Sequence, residues 1–231
     1  MFTQAFWDDR YSGERHVWSG RPNPHLVTET SDLAPGRAID VGCGEGADAI
    51  WLARQGWTVT GADVSPVGLK RAAGNAEAAG AEIAQRITWR QADLFAGDWT
   101  PLDPHDLVSS QYLHLPPEVR GQSMERLAEA VAPRGDLLIA AHHPSDLEIP
   151  GLRPHLPELF CTPEELAGFL DPGAWEIVTA DAPQRTVKGP EGTPVTIRDT
   201  VLHARRRLNG QPGDDTARSS TQWLHSSVRP A

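Results

Sequence analysis

The heptapeptide "DVGCGEG", Asp40–Gly46, places three glycines in five positions, with an acid just before them. Glycine takes positive φ without strain and, lacking a Cβ, lets a ligand lie against the chain. A helix that starts at such a turn adds backbone N–H groups with no partner inside the helix. Two more acids stand in short motifs further on, Asp63 in "GADVS" and Asp93 in "QADL", and imidazoles follow later at His114, His142 and His143. A glycine turn backed by carboxylates is suited to hold a ligand with positive charge and hydroxyl groups. Imidazoles offer a base or a positioning group for a second reactant.

The spacing sorts the ligand classes. A phosphate-binding loop of the GxxxxGK type needs a lysine after the glycines, and none follows Gly42, Gly44 and Gly46. A dinucleotide site prefers GxGxxG, whereas GxGxG stands here behind Asp40, an awkward neighbour for a pyrophosphate and a favourable one for a cation. S-adenosylmethionine carries a sulfonium and an ammonium, and Asp63 is placed to accept hydrogen bonds from both ribose hydroxyls. No GxSxG or HExxH motif and no kinase set occurs, so hydrolase readings lack a nucleophile or metal site. Cys43 reads as a small filler of the turn, since nothing basic nearby favours its thiolate.

These residues need a scaffold. Ala38, Ile39 and Val41 form a β-prone run before the turn, and a helical pattern follows through Ala47, Ile50, Ala53 and Arg54. "WTVTGAD" is a second strand that ends on Asp63. Ser65 caps the next helix, with Pro66 in its first turn, Leu69, Ala72, Ala73, Ala76 and Ala79 on one face, and Gly80 at its end. Further strands are expected in "ITWRQADL", "HDLVSSQ" and "GDLLIAAHH", with a helix in "PPEVRGQSMERLAEAV" and another opening at the capping box of Thr162 and Glu165. "AWEIVTA" and "VTIRDTVLHA", joined by a loop with Gly189, Pro190 and Gly192, have no helix between them and should pair antiparallel. The expected fold is α/β: a Rossmann-like, doubly wound, mostly parallel seven-stranded sheet with a C-terminal antiparallel hairpin. In such sheets a ligand binds at the carboxyl ends of the strands. That is where the glycine turn, Asp63, His114, His142 and His143 fall.

Residues 1–207 are read as a single domain, residues 1–30 forming an N-terminal cap or lid, and 208–231 as a flexible tail, polar and without period. The formal net charge of −10 disfavours nucleic acid and anionic membrane surfaces as partners, because both need a basic face. Two distant cysteines, Cys43 and Cys161, support neither a disulfide framework nor a thiolate metal site, and no metal is expected, His155 near Cys161 included. No targeting segment and no apolar run of membrane-spanning length is seen, so a cytoplasmic protein is expected.

"DVGCGEGADA", "GADVS" and "QADL" resemble the first three motifs of class I S-adenosylmethionine-dependent methyltransferases, and the order and rhythm of elements from Phe6 to Arg205 is similar to theirs. "FWDDRY" and "WSGRPNPHL" resemble the small-molecule enzymes of the tellurite-resistance and thiopurine type. The resemblance implies that Asp40, Gly42 and Gly44 contact the methionine part of the cofactor and Asp63 its ribose. It also implies that Val64 and Leu94 flank the adenine, that Asp93 bonds its amino group, and that Ser110 and Gln111 line the sulfonium region. The expected reaction is transfer of the methyl group of S-adenosylmethionine to a small-molecule acceptor through a sulfur, selenium or tellurium, oxygen or nitrogen nucleophile. The alternatives are an NAD-linked oxidoreductase and a non-catalytic S-adenosylmethionine-binding protein. His114, His142 and His143 stand as base or positioning groups. Trp7 and Tyr11, four apart on one helix face, serve with Trp18 and Arg21 either to dock the N-terminus or to close over the acceptor.

Overall fold

A computed structural model describes residues 3–13, 15–96, 99, 103–149, 151–152, 156–190 and 192–208. Five strands, β1 (Arg37–Val41), β2 (Thr58–Asp63), β3 (Ile87–Gln91), β4 (His105–Gln111) and β5 (Val131–His142), run parallel in one sheet. Strands β6 (Trp175–Asp181), β7 (Gln184–Lys188) and β8 (Pro194–Arg206) complete it, with β8 antiparallel to β5, β6 and β7. The order β3-β2-β1-β4-β5-β8-β6 reverses direction between β1 and β4. At that reversal the chain leaves β1 and β4 toward opposite sides, and a crevice opens at their carboxyl ends.

Helices α1 (Gln4–Tyr11) and α2 (Pro24–Thr30) precede the sheet. Behind β1 and β2 come α3 (Ala47–Arg54), α4 (Pro66–Ala79) and the short α5 (Ala81–Ala84); α6 (Pro117–Glu129) links β4 to β5, and α7 (Pro163–Ala167) precedes β6. Ser65 caps α4 as its type predicts, its Oγ accepting from Gly68 N–H at 3.0 Å, and Thr162 and Glu165 form a reciprocal capping box at α7. Strand alternation divides the interior between the two faces of the sheet. Ile39, Val108, Leu137, Ile139 and Leu202 join one apolar cluster with Met124 and Leu127 of α6. Ala38, Leu107, Leu138 and Val201 join the other with Leu52 of α3. Each fully buried leucine or isoleucine contributes on the order of 1.5–3 kcal/mol of transfer free energy.

The sheet departs from expectation in the stretch read as a loop between the last two strands. "QRTVK" forms β7 and pairs with the first half of β8, from Gln184 opposite Arg198 to Lys188 opposite Pro194. The remainder of β8 pairs with β5 and β6, so the sheet has eight strands rather than seven. The period-2 signal was too weak to read because β7 is paired on one side only and buries no residue fully. Helices α2 and α5, with 7 and 4 residues, are too short to show a helical period and were not expected. The expected tail lies outside the described residues except for Leu208, as does His155. No described helix is long and apolar enough to cross a membrane.

Candidate active site

All three glycines of the turn have positive φ, +78° at Gly42, +52° at Gly44 and +84° at Gly46. At Gly44 the absence of a side chain is a matter of space as well, since a Cβ there would stand 2.7 Å from the Tyr11 hydroxyl. The backbone N–H groups of Gly42 and Cys43 donate to the carbonyl of Ala62 at 2.8 and 3.1 Å, which ties the turn to β2. Gly44 N–H donates to one oxygen of Asp63 at 2.8 Å, and Ser65 N–H donates to the other at 2.8 Å. The carboxylate at the end of β2 is thereby fixed in orientation, and each oxygen keeps further acceptor capacity. Burial pushes its carboxyl above the usual range, against the pull of these two N–H groups.

Two other acids flank the turn. Asp40 is buried, one of its oxygens has no hydrogen-bond partner, and burial followed by the nearby Asp48 and Asp63 pushes its carboxyl well above the usual range. Asp48, in the first turn of α3, is pushed up to about 6 by burial, opposed by the Asn23 N–H that donates to it at 2.6 Å. Buried acids raised in this way lack a counter-charge, and a cationic ligand would supply it and draw them toward the ionised form. Cys43 sits among them with its thiol pushed well above its ordinary value, first by burial and then by Asp40 and Asp63, and so stays protonated.

The N-terminal segment is fastened over the turn by Glu45. Its carboxylate is 5% exposed and accepts from the backbone N–H of Val17 at 3.0 Å and of Trp18 at 3.1 Å, from Arg71 at 2.9 Å, and pairs with His16 at 3.2 Å. Trp18 Nε1–H donates to the Tyr11 hydroxyl at 3.1 Å. The Trp7 and Tyr11 rings stack at 5.9 Å, and Ser65 Oγ–H donates to Asp8 at 2.5 Å. Sequence periodicity paired Trp7 with Tyr11 correctly, but Glu45, hidden among the glycines, carried no signal of its own.

At the far side of the crevice, β4 runs through Gln111 into Tyr112, whose φ of +54° is unusual for a residue with a side chain. The Tyr112 ring lies 4.7 Å from that of His142 at the end of β5, with His114 and Phe160 each 5.9 Å from His142. Arg185 of β7 reaches the Tyr112 hydroxyl at 3.3 Å and pairs with Asp199 of β8.

One cavity of about 730 Å³ joins the two sides, within the span of about 300–1,000 Å³ usual for small-molecule sites. Of the expected residues it brings together Gly42, Gly44, Asp63, Val64, Asp93, Leu94, Gln111, His114, His142, Trp7, Tyr11, Trp18 and Arg21. Three do not line it. Asp40 lies beneath the turn, and Ser110 is buried in β4. His143 accepts from Ser145 N–H at 3.2 Å and so caps the short 3₁₀ turn Pro144–Glu148. Asp48, Tyr112 and Arg185 line the cavity without having been singled out. Asp48 stands inside the quoted "DVGCGEGADA", whereas Tyr112 and Arg185 are brought together only by the pairing of strands. Among the described residues no group of three or more histidines, cysteines and acids could hold a metal ion.

Residues 38–135 match the family model of a methyltransferase domain. A 2-heptyl-1-hydroxyquinolin-4(1H)-one methyltransferase of Mycobacteroides abscessus is 28% identical over 163 residues, 64% of this chain and 70% of that one. A thiopurine S-methyltransferase of Vibrio cholerae is 29% identical over 173 residues, 68% of this chain and 78% of that one. Against several other curated methyltransferases the match spans only 51% to 59% of their length. The solved N-methyltransferase NodS of Bradyrhizobium japonicum, in complex with S-adenosyl-L-homocysteine, superposes with a TM-score of 0.66 at 16% identity, covering 90% of this chain and 100% of that one. Over residues 38–135 the chain is thus similar to a methyltransferase domain, and its sheet has the Rossmann-like fold of the solved methyltransferase.

Proposed function

We propose that the protein transfers the methyl group of S-adenosylmethionine to a small-molecule acceptor bound in the 730 Å³ cavity. The carrying observation is that this cavity has the glycine turn and the doubly held Asp63 carboxylate at one side and Tyr112, His114, His142 and Arg185 at the other. When bound, the cofactor supplies an electrophilic methyl group on a sulfonium. Asp63 accepts from the ribose hydroxyls, and Val64 and Leu94 flank the adenine beside Asp93. The turn, with Gly42 and Gly44, and the negative potential of Asp40 and Asp48 receive the charged methionine end, with Gln111 alongside and Ser110 behind it. The described part of the N-terminal segment closes over the acceptor, with Trp7, Tyr11, Trp18 and Arg21 facing it. His114 and His142 position the acceptor. Alignment of two reactants in this way can supply about 7–11 kcal/mol of a barrier.

We favour sulfur as the accepting atom. A thiol is already partly anionic near neutral pH and needs little help from a base, and one relative is named for S-methylation of thiopurines. The two described cysteines are free and buried, which agrees with a reducing compartment, the cytoplasm. Titration calorimetry tests the cofactor. S-adenosylmethionine should bind and NAD should not, and Asp63→Ala should weaken binding by about 1.5–3 kcal/mol for each hydrogen bond lost to the charged carboxylate. Wild-type protein that binds NAD and not S-adenosylmethionine would overturn the reading.

A further inference from the structure

We propose that Arg185 is the acceptor-recognition residue of this site and that the acceptor carries a carboxylate, which the free edge of the guanidinium binds. The assignment rests on the cavity being the place of methyl transfer.

The Arg185 side chain lines that cavity and is 35% exposed, while the Asp199 carboxylate behind it is fully buried. Nε donates to one oxygen of Asp199, and Nη2 donates to the other at 3.2 Å and to the Tyr112 hydroxyl at 3.3 Å. Nη1 makes no hydrogen bond with any described residue. Asp199 is committed elsewhere too: it pairs with His25 Nε2 of α2 at 2.9 Å. The buried acid therefore fixes the plane of the guanidinium without presenting a carboxylate to the cavity. A fork whose orientation is set in advance loses little freedom on binding a planar anion.

The lining draws its charges from different elements. Its carboxylates, Asp48, Asp63 and Asp93, come from the start of α3, the end of β2 and the segment after β3. Next to Arg185 the lining is Tyr112, whose ring faces His142, which in turn stands 5.9 Å from His114, and none of these is acidic. Tyr112 holds its place with φ +54°, a conformation that costs strain in a residue with a Cβ, while its ring faces His142 and its oxygen meets Arg185. A cationic cofactor at the acidic side and an anionic acceptor at the arginine side attract each other as well as the walls. If Arg185 and Asp199 served only to pin β7 to β8, the charge of a carboxylate ligand would be of no consequence to binding.

The test uses protein saturated with S-adenosylhomocysteine and two matched probe pairs, 2-mercaptobenzoate against 2-mercaptobenzamide and 3-mercaptopropionate against 3-mercaptopropionamide. Dissociation constants are read by calorimetry or NMR titration. Wild type should bind the acid of at least one pair about tenfold or more tightly than its amide. Arg185→Gln should abolish that preference while amide affinity and S-adenosylhomocysteine affinity stay within about threefold. Arg185→Gln combined with Asp199→Asn removes both charges, leaves no unpaired buried carboxylate, and should lose the preference in the same way if the single variant fails to fold. Saturated wild type that binds neither acid more tightly than its amide, or an Arg185→Gln variant that keeps the preference, overturns the assignment. Protein that does not bind S-adenosylhomocysteine at all sinks the methyl-transfer reading, and this one with it.

Discussion

Glu45→Ala should loosen the N-terminal segment without unfolding the sheet. The substitution removes the acceptor for the backbone N–H groups of Val17 and Trp18, bonded at 3.0 and 3.1 Å, and the partner of Arg71 at 2.9 Å. Two hydrogen bonds to a charged group are worth about 1.5–3 kcal/mol each, and a partly exposed ion pair adds at most about 1 kcal/mol. Much of that is recovered when the freed N–H groups reach water, as the 46% exposure of Trp18 allows. A net loss of about 2–3 kcal/mol from the closed arrangement is expected. Since each 1.4 kcal/mol is a factor of ten, cofactor affinity should fall by about 30- to 150-fold where the cap is needed to hold the ligand. Glu45→Gln, which keeps one acceptor oxygen, should fall by less. The same loss applied to the whole domain would lower Tm by about 4–12 °C; local opening should lower it far less and should speed amide exchange at residues 15–18. Calorimetry, a thermal melt and hydrogen exchange separate the cases. Unchanged exchange at 15–18 together with affinity within threefold of wild type would refute Glu45 as the fastener.

Three further outcomes are expected. His114→Gln and His142→Gln should each lower kcat by less than about tenfold, under about 1.4 kcal/mol, if the acceptor is a thiol; a loss of several hundredfold with cofactor affinity intact would identify a general base and an oxygen or nitrogen acceptor. Asp48, raised to about 6, is protonated below that pH and carries its charge above it, so S-adenosylmethionine affinity should rise as pH increases through about 6 and then level off. Asp48→Asn should flatten the profile, and equal affinity from about pH 5 to pH 7 in the wild type would refute the role. His203 is lowered by burial but more strongly raised by its bonds to Asp136 at 3.0 Å and Glu29 at 3.1 Å, and its net shift is upward. A group raised on folding contributes stability in full below its ordinary 6.5 and loses it as pH climbs through the folded value. Denaturant midpoints should therefore decline above that pH in wild type and decline less in His203→Gln.

Much of the fold and half of the site were legible in local sequence. A glycine needed for positive φ, a serine cap before Pro66, an acid closing β2 and the alternation that sends Ile39 and Ala38 to opposite faces are each set by neighbours within a few positions. The same locality explains what went unread. β7 offers no buried face of its own and exists because β8 is long enough to pair with it on one half and with β5 and β6 on the other. Its boundaries could not be inferred from "QRTVK" alone.

What the sequence by itself determined is the glycine-turn side of the cavity, where Gly42, Gly44 and Gly46 stand within a single turn and Asp63 closes the neighbouring strand, each set by its own local pattern. Only the tertiary structure decided the opposite side of the cavity. Tyr112, His142, Arg185 and Asp199 lie on β4, β5, β7 and β8 or at their ends, up to 87 positions apart, and the hydrogen-bond register of the sheet brings them together. Glu45 belongs with them, since its two backbone donors lie 28 and 27 positions away. A contact between distant positions leaves no periodic trace in either segment, because periodicity records which face a residue presents and not which residue it meets.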